Sequence, residues 1–180
     1  MAAPLLALRQ GHSAAAVGVL LALFALTQVF LALPAGRYAD RRGLKRPVAF
    51  SVVAAALGAG LAVAFPVFPV LCLSALMTGG ATGAASIALQ RHVGRAAGSP
   101  TELKKVFSWL AIGPAVSNFL GPFSAGLVID HAGFRAAFFL MALLPLASWF
   151  WVRTTRELPP VEVPAGQARQ RTWDLVREPV

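Results

Sequence analysis

The stretch from Gly36 to Arg46 holds the residues of this sequence best suited to chemistry. It reads GRYADRRGLKR, with one carboxylate, Asp40, among five cations. A carboxylate at a helix terminus can accept hydrogen bonds from backbone N–H groups, and cations beside it can pair with acidic groups or lipid phosphates. Gly36 and Gly43 allow backbones to approach and turn. The chemistry expected here is a reversible ionic contact that involves no bond making.

Two uncharged polar side chains inside apolar runs are the other candidates. Gln28 and Asn118 could face a substrate and hydrogen-bond it, although a hydrogen bond between neighbouring helices is the favoured interpretation of both. The sequence contains no metal-ligand constellation, nucleophile paired with a base, or phosphate-cradling loop. We therefore expect no enzyme, no metal and no cofactor.

Composition indicates that lipid surrounds these residues. Of the 180 residues, 57% are hydrophobic and 13% are charged, and the mean hydropathy is +0.68. Apolar runs free of Asp, Glu, Lys and Arg predict an all-α membrane protein with five full transmembrane helices, at about 14–35, 47–65, 69–90, 105–129 and 136–152. Pro66 and Pro69 separate the second span from the third. Ser99 and Glu102 predict a capping box ahead of the fourth.

The formal net charge of +9 has a distribution typical of membrane topology. Fourteen of the sixteen Lys and Arg follow the first, third or fifth span, and only Arg9 and Arg135 lie on the opposite side. The positive-inside rule then places 36–46, 91–105 and 153–180 in the cytoplasm, with the chain integral to the plasma (inner) membrane and the lipid bilayer as a partner. A basic protein could bind nucleic acid, but this distribution argues against a nucleic-acid partner.

The two ends of the sequence lie outside the five predicted spans and differ in composition from each other. The apolar segment before Arg9, MAAPLLAL, predicts the end of a sixth helix, because the topology otherwise leaves the N-terminus outside without a signal to carry it there. We expect the sequence to be part of a longer protein. The tail, 154–180, is polar and rich in proline, which predicts a cytoplasmic linker.

The charged stretch resembles the signature loop of the major facilitator superfamily, G-x-L-A-D-R-x-G-R-R/K-R/K, between the family's second and third helices. The matching residues are Gly36, Ala39, Asp40, Arg41, Gly43, Lys45 and Arg46. Tyr38 replaces the usual Leu, and Leu44 a usual basic residue. The resemblance implies a gating loop in which Asp40 and Arg41 help to hold the cytoplasmic side closed against the opposite half. A solvated loop that only sets orientation would explain the cations but not the spacing of glycine and aspartate.

The predicted fourth span resembles the family's fifth helix, whose G-P-x-x-G-G motif marks many antiporters and drug exporters. Gly121, Pro122 and Gly126 match it, while Ala125 and Ser117 replace glycines. Together with Gly113 and Pro114 they form a candidate helix-bending and packing motif. The following HAGFRAAFFL resembles the entry into the sixth helix. The segment LSALMTGGATG lacks the Arg that the family's fourth helix often carries for proton coupling, which weakens the expectation of proton antiport.

Small residues four positions apart predict close-packed faces on all but the last predicted span. The sets are Ala14, Gly18 and Ala22; Ala54, Gly58 and Ala62; Ala75, Gly79 and Gly83; and Gly113, Ser117, Gly121 and Ala125.

The resemblance covers residues 1–153 and implies a partial N-terminal transmembrane half, that is, half of a major-facilitator-type bundle. The implied function is transmembrane transport of a small solute, with secondary active efflux by alternating access, as a fragment of a larger permease. The implied partners are a small-molecule substrate and the missing C-terminal half. The alternative is a non-transporting, self-associating membrane protein or an inactive gene fragment.

Overall fold

A computed structural model describes residues 2–155 and 158, and these residues form helices joined by short turns. The helices are α1 (Ala2–Arg9), α2 (Ala14–Arg42), α3 (Lys45–Ala64), α4 (Phe68–Ala96) and α5 (Pro100–Thr154). No strand occurs within these described residues. The four helices α2 to α5 are long and apolar enough to cross a membrane. The prediction of an all-α membrane protein is confirmed at this level, whereas most of the predicted linker, 154–180, lies outside the described residues.

The helix count differs from the prediction of five full helices plus the end of a sixth. The predicted fourth and fifth spans both lie in α5, which has 55 residues and a non-helical backbone at Gly133, with φ 80° and ψ 174°. Such a φ suits glycine, which has no Cβ. A straight helix of this length would extend about 80 Å. The described chain thus has five helices, and the last is divided into two arms by this bend.

Two apolar clusters show how the arms of α5 run. Ile129, before the bend, and Phe138, after it, belong to one cluster with residues of α1, α2, α3 and α4. Trp149 and Val152 pack against a second cluster, formed by Ala39, Leu44, Val48, Val52 and Ala88. The second arm of α5 therefore runs back along α3 from one cluster to the other.

The side chains on the outside of the helices are predominantly apolar. Phe30, Phe119 and Trp151 are 73%, 78% and 80% exposed. Water would disfavour so much exposed aromatic surface, whereas acyl chains solvate it. Together with the four apolar helices, this surface makes the chain an integral membrane protein.

The small residues of α4 form its closest contact with α2. Ala75, Gly79 and Gly83 are buried, as the spacing predicts. A Cβ at Gly79 would lie 2.6 Å from Thr27 Oγ1 and closer still to the carbonyl oxygen of Phe24. Only a residue without a Cβ permits this approach. Gly58 of α3 meets α4 in a similar way, because a Cβ there would lie 3.0 Å from the Cβ of Met77.

Two of the predicted packing faces contact no other helix at their glycines. A Cβ at Gly18 of α2, or at Gly113 or Gly121 of α5, would meet nothing within 4 Å in the described chain. Close packing of these two faces therefore stays a prediction. A spacing of four places residues on one face but does not say whether a neighbouring helix covers that face.

Polar contacts fix the start of α5, and contacts of aromatic rings lie at the opposite end of the bundle. Ser99 Oγ accepts from the N–H of Glu102 (3.2 Å), and Glu102 Oε2 accepts from the N–H of Gly98 (2.9 Å), so the predicted capping interaction begins α5. At the other end of the bundle, Arg9 lies 5.3 Å above the ring of Phe134. The ring of His12, in the α1–α2 turn, contacts the ring of Phe68 at the start of α4, and the two ring centroids are 4.7 Å apart.

Candidate functional site

An ion pair joins α2 to α4 at the end of the bundle opposite to the His12–Phe68 contact. Arg91 Nη1, near the end of α4, donates to Asp40 Oδ2, near the end of α2. The two side chains are 46% and 38% exposed, so the pair lies at the surface. Opposite charges at two helix ends hold those ends together without a covalent bond. The geometry therefore supplies a reversible ionic contact between two membrane helices.

Gly36 makes room for the arginine of this ion pair. It lies one turn before Asp40 on the same helix, and it is buried. A Cβ at this position would lie 3.1 Å from Arg91 Nη2, 3.2 Å from Nε and 3.3 Å from Cζ. The guanidinium group thus rests against the backbone at Gly36 while one of its nitrogens reaches Asp40. The glycine and the aspartate of the signature stretch act on the same arginine.

Gly43 and Leu44 form the turn that ends α2. Gly43 has a φ of 74°, a conformation that side chains with a Cβ rarely adopt, and its N–H donates to the carbonyl oxygen of Ala39 at 2.9 Å. Leu44, where the family pattern has a basic residue, is 4% exposed and packs in the second apolar cluster. This departure from the pattern thus adds an apolar contact between α2 and α3.

The cations of the stretch differ in solvent exposure. Arg41 and Arg46 are exposed, and Lys45 is half-buried. The structure therefore places Gly36, Asp40 and Gly43 in contacts with the rest of this chain and leaves Arg41 and Arg46 on its surface.

The helix-bending and packing motif of α5 is mostly exposed, and its Ser117, Gly121, Pro122 and Ala125 line a cavity between the helices. Gly113, Pro114, Ser117, Gly121 and Pro122 are exposed, and Ala125 and Gly126 are half-buried. Both prolines keep helical backbone angles, and the break in α5 occurs at Gly133 instead. A Cβ at Gly113, Gly121 or Gly126 would meet no atom of the described chain within 4 Å. The role of this motif in helix packing stays a prediction, because its glycines contact no other helix of the described chain.

A cavity of about 460 Å³ lies between α1, α2, α4 and both arms of α5. Its volume is within the range of pockets that bind small molecules, about 300–1,000 Å³. None of the described residues that line it is ionisable, and its polar groups include Thr78, Ser117 and Asn118. The Thr78 hydroxyl donates to the carbonyl oxygen of Ser74 in its own helix, at 2.6 Å. The cavity can therefore offer the Asn118 amide to a neutral ligand.

The two candidate substrate-facing residues have different surroundings. Asn118 lines the cavity. Gln28 instead packs against α4, because a Cβ at Gly83 would lie 3.2 Å from both the Cα and the Cγ of Gln28. The structure therefore does not bring the two side chains together at one site, and a role of either in substrate binding stays a prediction.

Comparisons with known proteins agree with the signature stretch and the helical fold. The family model of the Major Facilitator Superfamily matches residues 1–179. The chain belongs to this superfamily. This major facilitator chain is also similar to tetracycline resistance protein, class B, of Escherichia coli, with 33% identity over 144 residues. The match covers 77% of this chain and 35% of that protein, so the chain spans about a third of the length of this curated relative. No solved structure matches it.

Arg91 is the residue of this major facilitator chain whose role the sequence did not indicate. From the sequence it counted only as one of the cations that set topology, whereas the structure makes it the partner of both Asp40 and Gly36. Its separation from Asp40 by 51 positions gives no local signal. A signal could have come from the expectation that a lone carboxylate at a helix terminus pairs with a cation on the adjoining helix.

Proposed function

We propose that this chain forms part of a permease that moves a small solute across the membrane, by secondary active efflux with alternating access. The observation that carries the proposal is the match of the superfamily to nearly the whole chain, residues 1–179. The name of its relative, a tetracycline resistance protein, favours the outward direction. Since the chain spans about a third of that relative, we assign transport to a whole permease to which this chain contributes one part.

The Asp40–Arg91 pair suggests how this part would take part in gating. Because the pair joins α2 and α4 of one chain, it keeps the two helix ends together as a unit. Arg41 remains exposed on that unit and is available to the opposite half of the permease. In alternating access two halves rock against one another around a central site. We assign Asp40 to the shaping of the contact surface, and Arg41 to the contact itself.

Efflux is tested with everted membrane vesicles that contain the permease of which this chain is a part. Tetracycline is the first probe, chosen from the name of the relative. We expect energised vesicles to accumulate the probe, or another small neutral or amphiphilic solute of a panel, and to release it when ionophores dissipate the ion gradients. Vesicles without the permease are the control. Failure of every solute to accumulate above this control would contradict the proposed transport.

We propose a topology in the plasma (inner) membrane that places 36–46, 91–105 and 153–180 in the cytoplasm. It rests on the crowding of Lys and Arg at one side. A reporter that is active only in the cytoplasm should be active when fused after Lys105 and inactive when fused after Val67. A periplasmic reporter at the same two positions is the control and should give the opposite pattern. If the two reporters gave the reverse pattern, the orientation would be wrong.

Self-association without transport is the second candidate function, and the exposed small-residue face of α5, part of which lines the cavity, favours it. Gly113, Ser117 and Gly121 lie four positions apart on this face, and small residues at that spacing can bring two membrane helices into close contact. Disulfide crosslinking of a Ser117→Cys variant, with Cys72→Ser to remove the native thiol, separates the two functions. Dimers in the absence of any transport would favour self-association.

A further inference from the structure

The corner between α2 and α3 carries an aromatic pair with an arginine on each side of the turn. The rings of Tyr38 and Phe50 meet edge to face, with centroids 5.9 Å apart and planes at 65°. Arg42 lies one helical turn beyond Tyr38 on α2, and Arg46 lies one turn before Phe50 on α3. Both arginines are exposed. The two guanidinium groups therefore lie beyond the aromatic pair, toward the end of the bundle.

The charge at this end of the bundle is strongly positive. Its described cations are Arg37, Arg41, Arg42, Lys45, Arg46, Arg91, Arg95, Lys104, Lys105 and Arg153. The described carboxylates there are Asp40, which pairs with Arg91, and Glu102, which caps α5. Neither Arg42 nor Arg46 has a carboxylate partner among the described residues. The corner is thus complementary to an anion.

An exposed apolar stripe begins directly below this corner. Phe50, Val53 and Leu57 are 66%, 54% and 55% exposed, and their spacing of three and four residues places them on one face of α3. Arg46 lies on the same face, one turn before Phe50. From Arg46 to Leu57 the helix rises about 16 Å, close to one leaflet of a hydrocarbon core about 30 Å thick. The face therefore matches a phospholipid in both length and polarity.

We propose that this corner binds an anionic phospholipid of the adjoining leaflet. Arg42 and Arg46 donate hydrogen bonds to the phosphate oxygens, for which planar guanidinium groups are well suited. The Tyr38–Phe50 pair lies at the boundary between headgroup and acyl chain, where aromatic side chains concentrate in membrane proteins. One acyl chain follows Phe50, Val53 and Leu57. This lipid site does not depend on the proposed transport function.

Lipid retention by the purified chain tests the site. The full chain is incubated in detergent with equal amounts of dioleoylphosphatidylglycerol and dioleoylphosphatidylcholine, and the bound lipids are counted by native mass spectrometry. We expect preferential retention of phosphatidylglycerol, and about a tenfold loss of it in the Arg42→Gln, Arg46→Gln double variant. The matched control, Arg9→Gln with Arg135→Gln, removes the same charge near the opposite end and should retain the lipid. Circular dichroism and size-exclusion chromatography establish that each variant folds.

Three results would overturn the proposal. The first is equal loss of phosphatidylglycerol from the control variant, which would indicate attraction by net charge alone. The second is retention of the lipid by the folded Arg42→Gln, Arg46→Gln variant. The third is displacement of the lipid by millimolar inorganic phosphate, which would indicate a site for a free anion. If the variant fails to fold, Arg42→Lys with Arg46→Lys replaces it; lipid loss in that variant supports recognition by guanidinium, and retention of the lipid overturns it.

Discussion

A Gly79→Ala substitution should disrupt the packing of α2 against α4. The new Cβ would lie 2.6 Å from Thr27 Oγ1, 2.9 Å from the carbonyl carbon of Phe24 and closer still to its oxygen. Backbone atoms cannot rotate away as a flexible side chain can, so the helices must separate. Overpacking of this kind costs about 1–3 kcal/mol, and we expect the upper end of that range in the free energy of unfolding. The measurement is thermal unfolding of the purified chain in detergent, followed by fluorescence-detected size exclusion.

Gly60→Ala provides a matched control for this prediction. Gly60 is also helical, in α3, but a Cβ there would meet nothing within 4 Å. The same substitution should therefore leave the stability unchanged, or raise it through the higher helix propensity of alanine, by about 1 kcal/mol. Equal stability of the Gly79→Ala and Gly60→Ala variants would show that α2 and α4 are not in the close contact described.

An Asp40→Asn substitution should slow transport by the whole permease without preventing membrane insertion. It removes the charge that pairs with Arg91 but keeps the size of the side chain. Surface ion pairs contribute about 0.2–1 kcal/mol, so loss of the pair should shift a two-state gating equilibrium by up to about fivefold. The measurements are the initial transport rate in everted vesicles and the amount of permease in the membrane. Arg37→Gln is the comparison and should leave transport unchanged, because Arg37 is exposed, has no assigned gating contact and does not form this ion pair.

The helical class of the chain and the positions of α2, α3 and α4 followed from the sequence, whereas the number of helices did not. The length of each apolar run indicated where α2, α3 and α4 lie, and Pro66 and Pro69 marked the break between the last two. The small-residue face of α4 was predictable from its spacing of four, and its glycines do pack against α2. The equivalent spacing on α5 marks a face whose glycines meet no other helix of the described chain, since periodicity locates a face and not its neighbour. The joining of two spans at Gly133 was also missed, because one glycine with a positive φ interrupts the helix there without a loop.

The candidate site was predicted only in part, for a different reason. The glycine and aspartate spacing of residues 36–46 indicated a loop, whereas α2 continues to Arg42 and only Gly43, which has a positive φ, and Leu44 form the turn. The pairing of Asp40 with Arg91 depends on the register in which α2 packs against α4, and that register follows from contacts such as Gly79 with Phe24. Local sequence carries no information about such a register. The cavity beside Asn118 is likewise a product of helix packing.

Exchange of the two charges tests the central proposal, that an ion pair between α2 and α4 takes part in the gating of the permease to which this chain contributes. Asp40→Arg and Arg91→Asp are made singly and together in the whole permease, and initial transport rates are compared at equal amounts in the membrane. We predict that each single variant loses transport and that the double variant recovers a substantial part of it, because the pair re-forms with reversed polarity. A double variant with no more transport than the worse single variant would contradict the claim.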